Sequence, residues 1–165
     1  MKFSLSWLKD HLDTAASVEE ISAKLNAVGL EVEGIEDPAA KLAGFKVAKV
    51  LTAERHPNAD KLQVLTVDTG DGTPLQVVCG APNARVGIRV PCAMVGAELP
   101  PGEDGKPFMI KVGKLRGVES QGMLCSAKEL KIADDNGGLL ELPVDAPLGQ
   151  NIREYLNLDD TLMTL

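Results

Sequence analysis

Residues able to do chemistry gather in three short stretches of this 165-residue chain. The first is His56-Pro57-Asn58-Ala59-Asp60-Lys61-Leu62, preceded by Arg55. The second is Val78-Cys79-Gly80-Ala81-Pro82-Asn83, followed by Arg85 and Arg89. The third is Lys114-Leu115-Arg116-Gly117-Val118-Glu119-Ser120-Gln121-Gly122-Met123-Leu124-Cys125-Ser126. Each closes an apolar, β-rich run, where a sheet turns over and binding groups collect. Arg55, Lys61, Arg85, Arg89, Lys114 and Arg116 can neutralise phosphate, Lys as a point charge and Arg through its planar fork. His56 can stack or hydrogen-bond, Asn58 and Gln121 offer donors and acceptors, and Ser120 adds a hydroxyl. Asn83 is placed to cap a turn. Met123 reads equally as a contact or as core filler. The competing reading is a set of rigid turns whose polar groups satisfy one another, with Pro57 presetting the backbone of the first.

No catalytic constellation accompanies these groups. Cys79 as a nucleophile would need a positioned histidine, and no pairing follows from sequence, so a buried thiol is the preferred reading. The chain has no phosphate-cradling G-x-x-x-x-G-K and no metal-ligand cluster. Asp134-Asp135 lies in a Gly-rich loop, where neighbouring carboxylates are ordinarily solvated. Cys79, Cys92 and Cys125 form no C-x-x-C pair, which suits a reducing compartment and a cytoplasmic protein.

Charge is unevenly placed. The net charge of −7 looks wrong for a nucleic-acid binder. Residues 1–40, however, carry 3 basic and 8 acidic side chains, residues 41–133 carry 13 and 9, and residues 134–165 carry 1 and 7. The positive charge is thus confined to the stretch that holds the three motifs, between acidic flanks. Hydrophobic residues make up 44% of the chain, yet no apolar run approaches the ~20 residues of a membrane span. Lys2, Ser4, Ser6, Lys9 and Asp10 interrupt any signal-peptide core. No membrane partner is expected.

The elements that would position these groups follow from periodicity. Ser4 can cap a helix through Leu12, with Leu5, Leu8 and Leu12 on one face. Ser17-Val18-Glu19-Glu20 has capping-box spacing, Ile21, Leu25 and Val28 form an apolar stripe, and Gly29 can stop the helix. Leu30 and Val32 alternate with Glu31 and Glu33 as a half-buried strand, and Gly34 suggests a bulge before Ile35. Pro38-Ala39-Ala40 marks a boundary. Five strands follow, at about 45–54, 62–69, 75–78, 88–95 and 108–115, with Gly70-Asp71-Gly72-Thr73-Pro74 and Pro100-Pro101-Gly102-Glu103-Asp104-Gly105 as turns. That pattern fits a small closed barrel. Beyond it come a helical turn at 126–130, an acidic loop at 134–138, a short strand through Leu139, Leu140 and Leu142, a helical turn at 151–156, and a strand from Thr161. Both phenylalanines of the barrel stretch, Phe45 and Phe108, are expected to be buried, leaving no aromatic platform for stacked bases.

Together, the three motifs resemble the tRNA-binding OB-fold module carried by several aminoacyl-tRNA synthetases. With Trp7-Leu8 and Gly29-Leu30-Glu31-Val32-Glu33, the whole chain resembles the N-terminal part of the β subunits of bacterial phenylalanine–tRNA ligase. The resemblance implies a mainly β protein with an α+β flank, in which a five-stranded OB-fold barrel at 39–148 is inserted into a small α/β subdomain. That subdomain would be built from residues 1–38 and a return segment at 149–165. The family's subunit is several times longer, so the chain reads as an N-terminal fragment without catalytic residues or cofactor, ATP and Mg belonging to the complete ligase. The implied partners are phenylalanine-specific tRNA, the α subunit and the remaining β-subunit domains. Arg55, His56, Asn58, Lys61, Asn83, Arg85, Arg89, Lys114, Arg116, Ser120, Gln121 and Met123 are the candidate RNA-binding residues. Two other readings stand beside this one: a mainly structural interdomain module, and a free-standing OB-fold tRNA-binding protein.

Overall fold

A computed structural model describes residues 1–37, 44–101, 104–134, 137–158 and 160–165. The expected Pro38-Ala39-Ala40 boundary and parts of the turns at 100–105 and 134–138 lie outside the described residues. The chain divides into two units, one of Met1–Ala40 with Asn157–Leu165 and the other of Lys41–Leu156.

In the smaller unit, β1 (Lys2–Ser4) leads into α1 (Leu5–His11), whose cap is Ser4 Oγ accepting from Trp7 N at 3.2 Å. The second helix, α2 (Val18–Ala27), carries the full capping box: Glu20 N donates to Ser17 Oγ and Ser17 N donates to Glu20 Oε2. The strand expected at 30–33 forms instead at β2 (Gly34–Glu36), so Gly34 is a strand residue and not a bulge. The partner strand decides this. A strand close to the C-terminus, β12 (Leu162–Thr164), lies between β1 and β2 and pairs Thr164 with Gly34, while Val32 N is taken by Asn26 Oδ1.

The larger unit is a nearly closed five-stranded antiparallel barrel. Its long strand β3 (Phe45–Arg55) serves two neighbours. Residues 45–49 pair with β6 (Arg89–Met94) and residues 49–55 with β4 (Gln63–Asp68). A register shift between Val50 and Thr52 leaves Leu51 as the extra residue of a bulge, which bends and twists the strand so that both pairings can form. β5 (Leu75–Cys79) pairs with β4. The core is mainly aliphatic, with Val47, Val50, Leu65, Val67, Val77 and Val90 fully buried. The chain then runs across this barrel. Gly149 N donates to Val47 O and Val47 N to Gln150 O, before α3 (Ile152–Tyr155) buries Ile152.

The fifth strand is not the one expected. Residues 108–115 break into β8 (Phe108–Met109), paired with β7 (Glu98–Leu99), and β9 (Gly113–Leu115), paired with β10 (Val118–Ser120). β11 (Gly122–Leu124) takes the barrel position beside β6. Apolar content alone pointed at 108–115, but close approach of backbones selects β11: a Cβ on Gly122 would sit 2.9 Å from Ala93 O. Phe45 is buried as expected, whereas Phe108 is 61% exposed, contrary to expectation. The stretch 139–142 contributes only one isolated bridge, Leu142 to Arg89.

The sheet order β11-β6-β3-β4-β5 leaves a seam between β5 and β11. Gln121 N donates to Gln76 O at 2.8 Å, Gln76 N to Gln121 Oε1, and Gln76 Nε2 to Glu119 O. At its buried end, Ser120 Oγ accepts from Val78 N and donates to Gly122 O, both at 3.0 Å. Replacing Ser120 with Ala leaves the Val78 amide without its partner in a dry site. We expect a loss of about 1–3 kcal/mol, read as a lowered urea midpoint. Gly122→Ala should destabilise to a similar extent, about 1–3 kcal/mol, by forcing β11 off Ala93.

Candidate nucleic-acid interface

The three motifs, dispersed in sequence, meet on the barrel. The β3–β4 loop carries the first. His56 is buried with both ring nitrogens engaged: Nδ1 accepts from Asn58 N at 2.9 Å, and Nε2 lies 2.8 Å from Leu115 O. Because a backbone amide can only donate, Nδ1 must be the acceptor and Nε2 carries the proton that Leu115 O accepts. Asn58 Nδ2 donates to Arg116 O at 3.1 Å. The loop thus clamps the tip of the β9–β10 hairpin, which belongs to the third motif.

That tip is a two-residue turn between the paired Leu115 and Val118, with Arg116 at φ 50° and Gly117 at φ 89°. Both central residues have positive φ, as the type I′ form of a two-residue hairpin loop requires. The conformation costs an L-residue about 1 kcal/mol, and the Asn58 bond offsets part of it at Arg116. Arg116 is exposed there, as is Lys114, which faces Glu119 across the hairpin.

The second motif joins the first at a cleft lined by Lys61, Leu62 and Gln63 on one side and Gly80, Ala81 and Pro82 on the other. It joins the third through the Val78–Ser120 bond. The Asn83 amide works as a strand surrogate, donating to Leu139 O at 2.9 Å and accepting from Leu139 N at 2.8 Å, so the bonds of the residue expected to cap its own turn tie down a distant segment.

The candidate cations divide into two classes. Arg55 forms an ion pair with Asp60 at 2.7 Å, Arg85 a bidentate pair with Glu141 at 2.7 and 2.8 Å, and Arg89 Nη1 donates to Ala146 O. Among the described residues, no ion pair reaches Lys61, Lys114 or Arg116. The Arg85 guanidinium, with a further bond from Asn83, holds the Glu141 carboxyl below its ordinary value, and Glu141 raises Arg85 in turn. Ser120 is buried in the seam, Gln121 bonds Gln76, and Met123 is half-buried beside Leu115. Burial pushes the Cys79 thiol up, and Cys92 is pushed up to about 12, which keeps both as neutral thiols unsuited to nucleophilic work.

No motif marked the basic, aromatic surface around Phe108. Lys106, Lys128 and Lys131 line a cleft with Phe108, while Lys111 and Lys114 line an adjoining one. The spacing Lys106-x-Phe108-x-x-Lys111 was its only trace in the sequence. Among the described residues, no three or more His, Cys, Asp or Glu side chains are grouped to hold a metal ion. No helix there is long and apolar enough to cross a membrane.

Comparison with known proteins gives these features a context. Residues 45–151 match the family described as "Putative tRNA binding domain". The chain is 59% identical over 167 residues to the phenylalanine–tRNA ligase beta subunit of Cupriavidus pinatubonensis, and 55% identical over 166 residues to that of Rhodopseudomonas palustris. Both alignments take in all of this chain and 20% of the relative, so the chain spans about a fifth of those proteins. A solved MetRS-related protein from Pyrococcus horikoshii is similar at 27% identity and a TM-score of 0.47, over 66% of this chain and 87% of that one.

Two outcomes are expected from this geometry. His56→Ala removes both ends of the clamp and leaves buried backbone groups unmatched, so chemical unfolding should show a loss of about 1–3 kcal/mol. Glu141 has a folded pKa depressed below 4.5. Its ion pair therefore adds stability above that value, and the contribution is lost as pH falls through the folded pKa. Between about pH 6 and pH 3, Glu141→Gln should lose less stability than the parent chain in parallel denaturant titrations.

Proposed function

The chain belongs to the tRNA-binding-domain family, and from that premise we propose that it is the tRNA-binding and scaffolding part of a phenylalanine–tRNA ligase β subunit. On this reading the complete ligase, with its α subunit and the remaining β-subunit domains, attaches phenylalanine to its tRNA in the cytoplasm. On the same reading, ATP and magnesium belong to that larger assembly.

The observation that carries the RNA assignment is the clamp. His56 and Asn58 hold the hairpin tip against the β3–β4 loop, so the loop cation Lys61 and the hairpin cations Lys114 and Arg116 belong to one rigidly linked corner. In a chain of net charge −7, three cations with no acidic ion-pair partner among the described residues on a fixed corner form a site for the RNA backbone. Lys and Arg there would neutralise phosphates, and the preformed loop would read tRNA shape. Arg55, Arg85 and Arg89 take a lesser part, because each must first leave an intramolecular partner.

A specific observation favours a second reading. Most of the other candidates, His56, Asn58, Asn83, Ser120 and Gln121 among them, make bonds within the chain, as in a structural interdomain module. A salt titration separates the two. If three or four phosphates are contacted, log affinity for tRNA should fall against log salt with a slope of about −2 to −4. Lys114→Ala with Arg116→Ala should weaken binding and flatten the slope by about 1.4–1.8, while Arg85→Ala changes it little. A double variant that matches the parent across the titration would favour the structural module.

A further inference from the structure

The exposed ring of Phe108 has no role in the corner just described. It is 61% exposed, yet its backbone is held firmly. Phe108 pairs with Leu99, and the next residue but one is pinned on both sides: Ile110 N donates to Ala97 O and Gly96 N to Ile110 O, each at 2.8 Å. Ile110 itself is buried. A large apolar ring is thus displayed to solvent from a fixed position.

Phe108 and Pro107 form the wall shared by two adjoining clefts of about 780 and 720 Å³, a size that admits a small planar ligand. Lys106, Lys128 and Lys131 lie along the first and Lys111 and Lys114 along the second. Across residues 104–131 the chain carries six basic side chains and three acidic ones, against a net charge of −7 for the whole. All three acids are engaged locally, Asp104 by Lys106 N at 3.2 Å, Glu119 by Gln121 Nε2 at 3.2 Å and Glu129 by Ser126 N at 2.6 Å.

An aromatic face set among lysines has the chemistry of a single-strand nucleic-acid platform, in which a base stacks on the ring and flanking phosphates meet the ammonium groups. We propose that Phe108 is a stacking platform for an unpaired nucleotide of the bound RNA, with Lys106, Lys111 and Lys131 contacting the adjacent phosphates. This rests on the tRNA-binding reading and gives it a second contact, to unpaired bases. The exposed Met109, Val112 and Leu115 nearby would also suit an apolar protein surface. The excess of lysine around the ring favours RNA.

The test compares the parent chain with Phe108→Ala and Phe108→Trp, using a labelled single-stranded RNA and a blunt RNA duplex as probes. Phe108→Ala should weaken single-strand binding at least about fivefold with the salt slope unchanged, because stacking and not charge is lost. Phe108→Trp should retain binding. In a Trp7→Phe background, which removes the chain's single tryptophan, its indole fluorescence should be quenched by the single strand and not by the duplex. An unchanged thermal midpoint confirms that the variants fold. If Phe108→Ala binds like the parent while Lys114→Ala with Arg116→Ala weakens tRNA binding, this inference fails and the corner stands, leaving the ring as a protein-docking surface. If the parent binds neither tRNA nor the single strand, both readings fail together.

Discussion

Between β5 and the β10–β11 segment the barrel has no continuous backbone ladder, and a few bonds from Ser120, Gln121 and Gln76 replace it. The hairpin and the loop it meets hang on that replacement. β11 follows β10 after only Gln121, so whatever fixes the seam also fixes the β9–β10 hairpin, and the hairpin in turn is the anchor for His56 and Asn58. A Ser hydroxyl can accept and donate at once, which lets one side chain bridge Val78 N and Gly122 O between the two end strands of the sheet. Nearly closed barrels need some such device, because an open edge would leave polar backbone groups without partners.

Residues whose types suggest recognition are thus engaged in packing. His56 resembles a ligand-binding side chain by type, yet it is buried and its two nitrogens are occupied within the chain. Its effect on any ligand passes through the loop it stiffens. Rigid loops lose little conformational entropy on binding, so a buried histidine can influence affinity without touching RNA. The cations sort by the same logic. A bidentate Arg85–Glu141 pair compensates one exposed positive charge, whereas Lys61 and Arg116 have no ion pair among the described residues. Electrostatic attraction between a net-negative chain and a polyanion depends on which charges remain uncompensated, and the total misleads.

Next to the corner, the residues around Phe108 lie outside the five barrel strands. Their backbone is anchored by short pairings at both ends, β7 with β8 and β9 with β10, and the apolar side chains Phe108, Met109, Val112 and Leu115 face outward. The buried core cluster of the barrel, from Ala48 to Leu139, does not include these side chains. An exposed apolar surface on a fixed scaffold is where we place the proposed base contact.

Local signals were legible in the sequence. The capping box at Ser17–Glu20, the Ser4 cap, the left-handed Gly29 and the alternating runs of β3, β4 and β5 all rest on interactions between near neighbours, and composition reports those directly. The three motifs identified the family for the same reason. What sequence could not settle depended on partners far along the chain. The first sheet formed at 34–36 because residues 162–164 set its register. The fifth strand fell at 122–124 because Gly122 permits contact with Ala93 O, while the more apolar 108–115 broke into two pieces. Burial of His56 and exposure of Phe108 reversed what residue type suggests, since each depends on whether a distant segment covers it. Periodicity encodes which elements form; tertiary pairing alone decides which of them meet and which charged and aromatic side chains are left facing water.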